Sequence, residues 1–204
     1  MPRRPRTEAP GAIHHVIARG NGGCRIVVND KDRVAFIDRI ACVSDEFEWR
    51  LHAYCLMDTH VHAVIETPKP TLGAGMQKLV GGHAYMFNRR HERSGHLFAG
   101  PYYAAELAGE AHLVEACVYV VLNPVRARLV AHPAEWRWSS YRAAAGAEPV
   151  PGFVATEILP DALSPDPGRA RELYRRMVDE VAARRRPGSG FSQTPEHTRA
   201  PGSR

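Results

Sequence analysis

The sequence contains no apolar run near the ~20 residues that a membrane-spanning helix needs. Its basic start, Met1-Pro2-Arg3-Arg4-Pro5-Arg6, is not followed by the apolar stretch of a secretory signal, so a cytoplasmic protein is expected. Lysine is scarce: Lys31, Lys69 and Lys78 are the only three of 27 basic residues, and the other 24 are arginine. Cysteine is sparse too. Cys24, Cys42, Cys55 and Cys117 lie far apart with no C-x-x-C pair, which excludes a zinc-site spacing and a disulfide framework. Cys42 and Cys55 sit in apolar patterns and are expected to be buried thiols. There is no internal repeat.

What is present is enough for a real core. The chain has 204 residues, 44% of them hydrophobic. Basic residues outnumber acidic ones by 27 to 22, and the isoelectric point is about 9.2. Arginine's planar fork suits phosphate better than lysine's point charge, which points to a polyanionic partner. A GC-rich coding bias produces the same excess without function, so composition alone leaves both readings open.

Periodicity organises the chain. Ala12 to Arg19 reads as a strand closed by Gly20-Asn21-Gly22-Gly23. Asp30 is a suitable N-cap for a helix to about Phe47, with Val34, Ile37, Ile40, Ala41 and Ser44 at helical spacing. Trp49 to Met57 and His60 to Thr67 form a hairpin of two strands. A second helix runs from about Leu72 to Arg90, a fourth strand from Tyr102 to Leu107, and a third helix from about Glu110 to Leu122, stopped by Asn123-Pro124. Strand–helix–strand–strand–helix–strand is the ferredoxin-like order: an α+β fold with an antiparallel sheet, helices packed on one face, and a further helix added at the end. Residues 1–145 read as one domain. Residues 146–186 read as a Pro-rich linker with a basic amphipathic helix from Gly168 to Arg186, and 187–204 as a disordered tail.

Three features carry chemistry. His60-Val61-His62 places two imidazoles on one face of a strand, roughly 6.6–6.8 Å apart along the chain, where they can converge on one cation. Val61, Ala63 and Ile65 then face the helices. In a chain with 11 histidines such a pair also arises by chance. Tyr119 and Asn123, four apart on a helix, share a face amid Val118, Val120, Val121 and Leu122. A tyrosine hydroxyl can act as a covalent nucleophile, and an amide oxygen can bind Mg²⁺ or Mn²⁺. A half-buried tyrosine followed by a helix-capping asparagine is the plainer alternative. Finally, basic and aromatic residues are interleaved in Tyr85-Met86-Phe87-Asn88-Arg89-Arg90-His91-Glu92-Arg93, a pattern that suits phosphate contacts and base stacking or equally a solvated helix end, and Arg126 and Arg128 are a second candidate phosphate clamp. His14 and His15 are expected to be structural.

Several strings resemble the single-tyrosine HUH transposases, in particular the REP-associated tyrosine transposase branch. They are His15-Val16 with Arg19-Gly20-Asn21, Ala53-Tyr54-Cys55-Leu56-Met57, His60-Val61-His62, Phe87-Asn88-Arg89-Arg90-His91 and Ser94-Gly95-His96-Leu97-Phe98. Tyr119 through Val130 and Trp138-Ser139-Ser140-Tyr141-Arg142 extend the match over about residues 10–145 in collinear order. The resemblance implies a ferredoxin-like fold that binds single-stranded or hairpin DNA of palindromic repeats as a monomer or homodimer. It implies Tyr119 as nucleophile forming a 5′-phosphotyrosine, with His60, His62 and Asn123 as ligands of Mg²⁺ or Mn²⁺. Arg19, Arg89, Arg90, Arg126 and Arg128 are the expected DNA contacts.

The chain departs from the family pattern at Asp58-Thr59 (usually Pro-Asn), at Pro101 and at Val118 (both usually arginine). Fewer arginines imply weaker or differently directed DNA binding. The rival readings are a domesticated hairpin-DNA-binding protein without cleavage, and a metal-dependent phosphoesterase using His60 and His62.

Overall fold

A computed structural model describes residues 9–156 and 162–184. The expected disordered tail therefore lies outside the described residues. Four strands, β1 (Ala12–Arg19), β2 (Arg50–Leu56), β3 (His60–Thr67) and β4 (Tyr103–Glu106), form one sheet in the order β2-β3-β1-β4. Every neighbouring pair is antiparallel. Helices α1 (Asp30–Glu46) and α2 (Leu72–Arg90) are the two crossovers, which completes the ferredoxin-like topology. After β4 come α3 (Gly109–Val121), the short turns α4 (Asn123–Arg126) and α5 (Tyr141–Ala144), and α6 (Pro167–Ala183). No described helix is long and apolar enough to cross a membrane.

The two crossover helices share one face of the sheet, as the pattern predicts. Val16, Ala18, Val61, Ala63 and Ile65 point from the strands into a core with Phe36, Ile40, Met76 and Leu79. Each of the larger side chains, valine and above, contributes about 1.5–3 kcal/mol when fully buried. Of the expected α1 stripe, Ile40 and Ser44 are buried and Ile37 packs on the core; Phe36 and Val43 complete it, while Val34 stays 47% exposed. Asn29, not Asp30, caps α1, its side chain accepting from the Asp32 N–H at 3.0 Å. Cys42 is exposed rather than buried, whereas Cys55 is buried as expected.

The added helix, α3, covers part of the opposite face. Its Leu113, Val114, Cys117 and Val121 pack on Ala53, Cys55 and Val64 of β2 and β3, and α6 closes over it with Tyr174 and Val178. Two residues separate successive inward positions on a regular strand, yet Leu51 and Tyr54 both enter the α1/α2 core. A bulge at His52 shifts the register between Leu51 and Ala53 and permits this. The stretch expected as a Pro-rich linker also joins the fold: Val154 bridges to Leu51 and is buried in the same core.

Candidate active site

The site lies on the α3 side of the sheet. His60 and His62 point there from β3, because Val61 and Ala63 between and beside them are committed to the core. Their ring centroids are 5.0 Å apart. Helix α3 crosses β3 so that Tyr119 comes to 6.1 Å, centroid to centroid, from His62. Tyr119 is 37% exposed, although Val118, Val120 and Val121 around it are buried. The helix thus buries its apolar faces and leaves the phenol at the mouth of the site. Arg126 lies over the Tyr119 ring, its guanidinium carbon 4.0 Å from the centroid, a cation–π contact that restrains the phenol. Among the described residues, Tyr119 is the one tyrosine with a ring contact to His62. Tyr141 is buried, Tyr85 is exposed on α2, and Tyr103 is exposed on the edge strand β4.

Asn123 plays the part of a cap. Its amide nitrogen donates to the Tyr119 and Val120 carbonyls, at 3.2 and 3.0 Å, satisfying the open end of α3. Both partners are acceptors, so the nitrogen is committed and any ligand role falls to Oδ1. The plainer reading of this asparagine is therefore true, and it leaves the other role available.

The structure also brings His15, expected to be structural, to this face. On β1, the register sets Ile17 opposite His62, so His15 lies diagonally across from His62 on the same face. Its Nε2 meets His62 Nδ1 at 3.1 Å, and its ring stands edge-on to Tyr119 with centroids 5.6 Å apart. The signal was the alternation of β1: His14, Val16 and Ala18 are buried on the core side, which turns His15 to the other.

Electrostatics keep the histidines neutral. Burial first, then the positive charge of Arg19, lowers His60 to about 4. Burial, followed by His60, His15, Arg19 and Arg126, lowers His62 to about 2. A neutral imidazole offers a lone pair. His62 Nε2 is buried with no hydrogen-bond partner, and His60 Nδ1 is taken by Thr59 Oγ1 at 2.9 Å, leaving its Nε2. Two neutral imidazoles, one with a ring nitrogen orphaned in the interior, fit a divalent cation. Among the described residues no group of three His, Cys, Asp or Glu side chains forms such a site.

The arginines separate into two sets. Arg19 pairs across the sheet with His60, and Arg126 and Arg128 are exposed just beyond α3. Arg128 occupies the left-handed position of a helix C-terminal turn, with φ of 58°. The N–H of Leu129 reaches the Pro124 carbonyl at 2.9 Å there, a place glycine usually takes. Arg89 and Arg90 end α2, on the other face of the sheet. Arg90 stays exposed and pairs with the buried Asp32, Nη1 to Oδ1 at 2.6 Å.

Residues that depart from the family pattern have structural work. The Asp58 carboxylate pairs with Arg33, and its carbonyl accepts from the Ile26 N–H at 2.7 Å, tying the hairpin to the start of α1. Val118 is 4% exposed, so packing occupies the place where the pattern has arginine. The string Arg19-Gly20-Asn21 is laced to Leu97-Phe98-Ala99: Asn21 N–H to the Leu97 carbonyl and Ala99 N–H to the Arg19 carbonyl, both 2.9 Å. A Cβ on Gly20 would stand 2.0 Å from the Cys24 carbonyl oxygen, so only glycine fits that turn.

Residues 12–121, more than half of the chain, match the family described as "Transposase IS200 like". The chain belongs to this IS200-like transposase family. Among solved structures, one of a REP-associated tyrosine transposase bound to a REP hairpin shares the fold, with a TM-score of 0.61 at 13% identity. That match covers 76% of this chain and 92% of the other. A candidate transposase from Deinococcus radiodurans R1 is 16% identical over 54% of this chain and 90% of its own, with a TM-score of 0.41, too distant to bear on the fold. No curated protein matches the chain.

Proposed function

We propose that this chain is a metal-dependent single-strand DNA transesterase of the HUH single-tyrosine type, recognising hairpin DNA. The observation that carries the reading is the meeting of Tyr119, from α3, with the neutral pair His60 and His62, from β3. The metal, Mg²⁺ or Mn²⁺, would be held by His60 Nε2 and His62 Nε2, with Asn123 Oδ1 as third protein ligand. When bound, a divalent ion supplies Lewis-acid stabilisation of charge developing on a phosphate oxygen.

The chain's own residues do the rest. Arg126 holds the phenol ring and places positive charge beside the phosphate that Tyr119 attacks. The Tyr119 oxygen bonds to phosphorus, the bond from phosphorus to the 3′ oxygen breaks, and the phenol proton leaves as the 3′ oxygen gains one. The product is a 5′-phosphotyrosine and a free 3′-hydroxyl. Because a phosphodiester replaces a phosphodiester, a second 3′-hydroxyl can reverse the linkage.

An unpaired strand has a path to this point. Helix α3 covers β2 and β3, while the β1–β4 half of the same face keeps Ile17 half-buried and Tyr103 58% exposed. Tyr103 and Ile17 are directly opposed and so share that face. An exposed aromatic on the same sheet face as Arg19 suits base stacking along a single strand. The related hairpin complex supports the same substrate class.

Incubating the protein with a labelled hairpin oligonucleotide and Mn²⁺ should give a covalent adduct on a denaturing gel, lost with chelator. Hairpin binding without any adduct would instead identify a domesticated binding protein. Multiple turnover without an adduct would identify a phosphoesterase.

A further inference from the structure

Resting on that reading, we infer that His15 is a positioning residue that sets the tautomer and aim of His62, so that His62 Nε2 is kept bare for the metal. The contact between His15 Nε2 and His62 Nδ1 is 3.1 Å, with the ring planes inclined by only 21° and the centroids 5.3 Å apart. Near-parallel planes whose centroids lie much farther apart than the touching nitrogens meet edge to edge. This is an in-plane hydrogen bond, not a face-to-face stack. Such a bond between two neutral imidazoles needs one N–H donor and one lone pair. If His15 donated, His62 would carry its proton on Nε2, the buried atom that has no protein acceptor. If His62 donates from Nδ1, the bond is made and Nε2 holds a lone pair instead of an orphaned N–H. Buried N–H groups are left orphaned less often than acceptors, and a cation can use the lone pair but not the N–H, so the geometry favours His62 as donor and His15 as acceptor.

His15 is itself well fixed. It is carried on β1 between paired strands, opposite Val64 on one side and Ala105 on the other. Its ring edge also meets Tyr119. One side chain therefore touches both the ligand and the nucleophile, and holds them in mutual register. A partner on the second ring nitrogen of a ligating histidine orients the ring and raises its basicity, and its loss typically weakens metal affinity 10- to 100-fold.

Two measurements on the full-length protein test this. In the metal-free protein, long-range ¹H–¹⁵N correlation should place the His62 proton on Nδ1. A proton on Nε2 would overturn the inference while leaving the metal reading to stand on wild-type Mn²⁺ binding. By calorimetry, His15→Phe, which keeps ring volume but removes the acceptor, should weaken Mn²⁺ binding roughly 10- to 100-fold. Its melting temperature and hairpin affinity without metal should stay near wild type. His15→Gln, which restores an acceptor near the Nε2 position, should recover most of the lost affinity. Wild-type-like Mn²⁺ affinity in His15→Phe, or equal losses in both variants, contradicts the assignment. A wild-type protein that binds no Mn²⁺ removes the metal reading itself, and the inference with it.

Discussion

Residues of one type serve different ends here, and the arginines show it best. Arg90 was expected on DNA, but its partner is the buried carboxylate of Asp32, which also accepts from the Val28 N–H at 3.0 Å and meets His91 at 2.9 Å. Burial alone would raise Asp32, but the bonds from Val28, His91 and Arg90 outweigh it and hold the carboxyl below its usual value. Arg90→Ala should therefore lower the melting temperature and leave the salt dependence of hairpin binding unchanged. Arg128→Gln should do the reverse, reducing the slope of log affinity against log salt by about 0.7 for a single-strand phosphate contact. Titrations at several salt concentrations, beside thermal melts, separate the two; a smaller slope in Arg90→Ala would contradict the division. Nothing local in the sequence could reveal this, since Asp32 lies 58 residues from Arg90. His15 was hidden for the same reason, because its partner is on another strand.

The elements themselves were largely legible. The strand from Ala12 to Arg19 and the helix from Leu72 to Arg90 appear within the bounds that periodicity predicts. Two local errors have physical causes. Asn29 outcompetes Asp30 as cap because its extended backbone aims the side chain at Asp32 N–H. The bulge at His52 has no period to announce it, and comes from His52 binding Glu66 at 3.0 Å and the Ala155 carbonyl at 3.3 Å. The crossing of α3 over β3 could not be read either, yet it makes the site: H-x-H and Tyr-x-x-x-Asn were each visible, and only the packing joins them. Close packing of elements is also testable at Gly75, where an added Cβ would lie 2.1 Å from the Trp49 ring. Trp49 is anchored to Thr71 Oγ1 at 3.1 Å and cannot easily retreat. Gly75→Ala should cost about 1–3 kcal/mol through overpacking, read as a lower urea midpoint. An unchanged midpoint would show that α2 can shift away from β2.

At the scale of the whole molecule, buried histidines should make stability depend on pH. Burial lowers His52 and His83 below their ordinary value, and His83 Nε2 donates to the Ile26 carbonyl at 2.7 Å. In the unfolded chain they take up protons near their ordinary value of about 6.5. The unfolded state thus binds more protons as pH falls below that value, and stability should decline from pH 7 to pH 5. Asp32, held low, contributes fully across this window and loses its contribution only in stronger acid. Urea melts at the two pH values check the sign; a higher midpoint at pH 5 would contradict it. The central claim, that α3 delivers a covalent nucleophile to the histidine pair, is tested most directly by tracing labelled DNA. With Mn²⁺ and a cleavable hairpin, label placed on the 3′ side of the cut should remain on the protein and map to the peptide containing Tyr119. Tyr119→Phe should lose the adduct while still binding the hairpin. Label retained from the 5′ side, or an adduct that persists in Tyr119→Phe, would contradict the account.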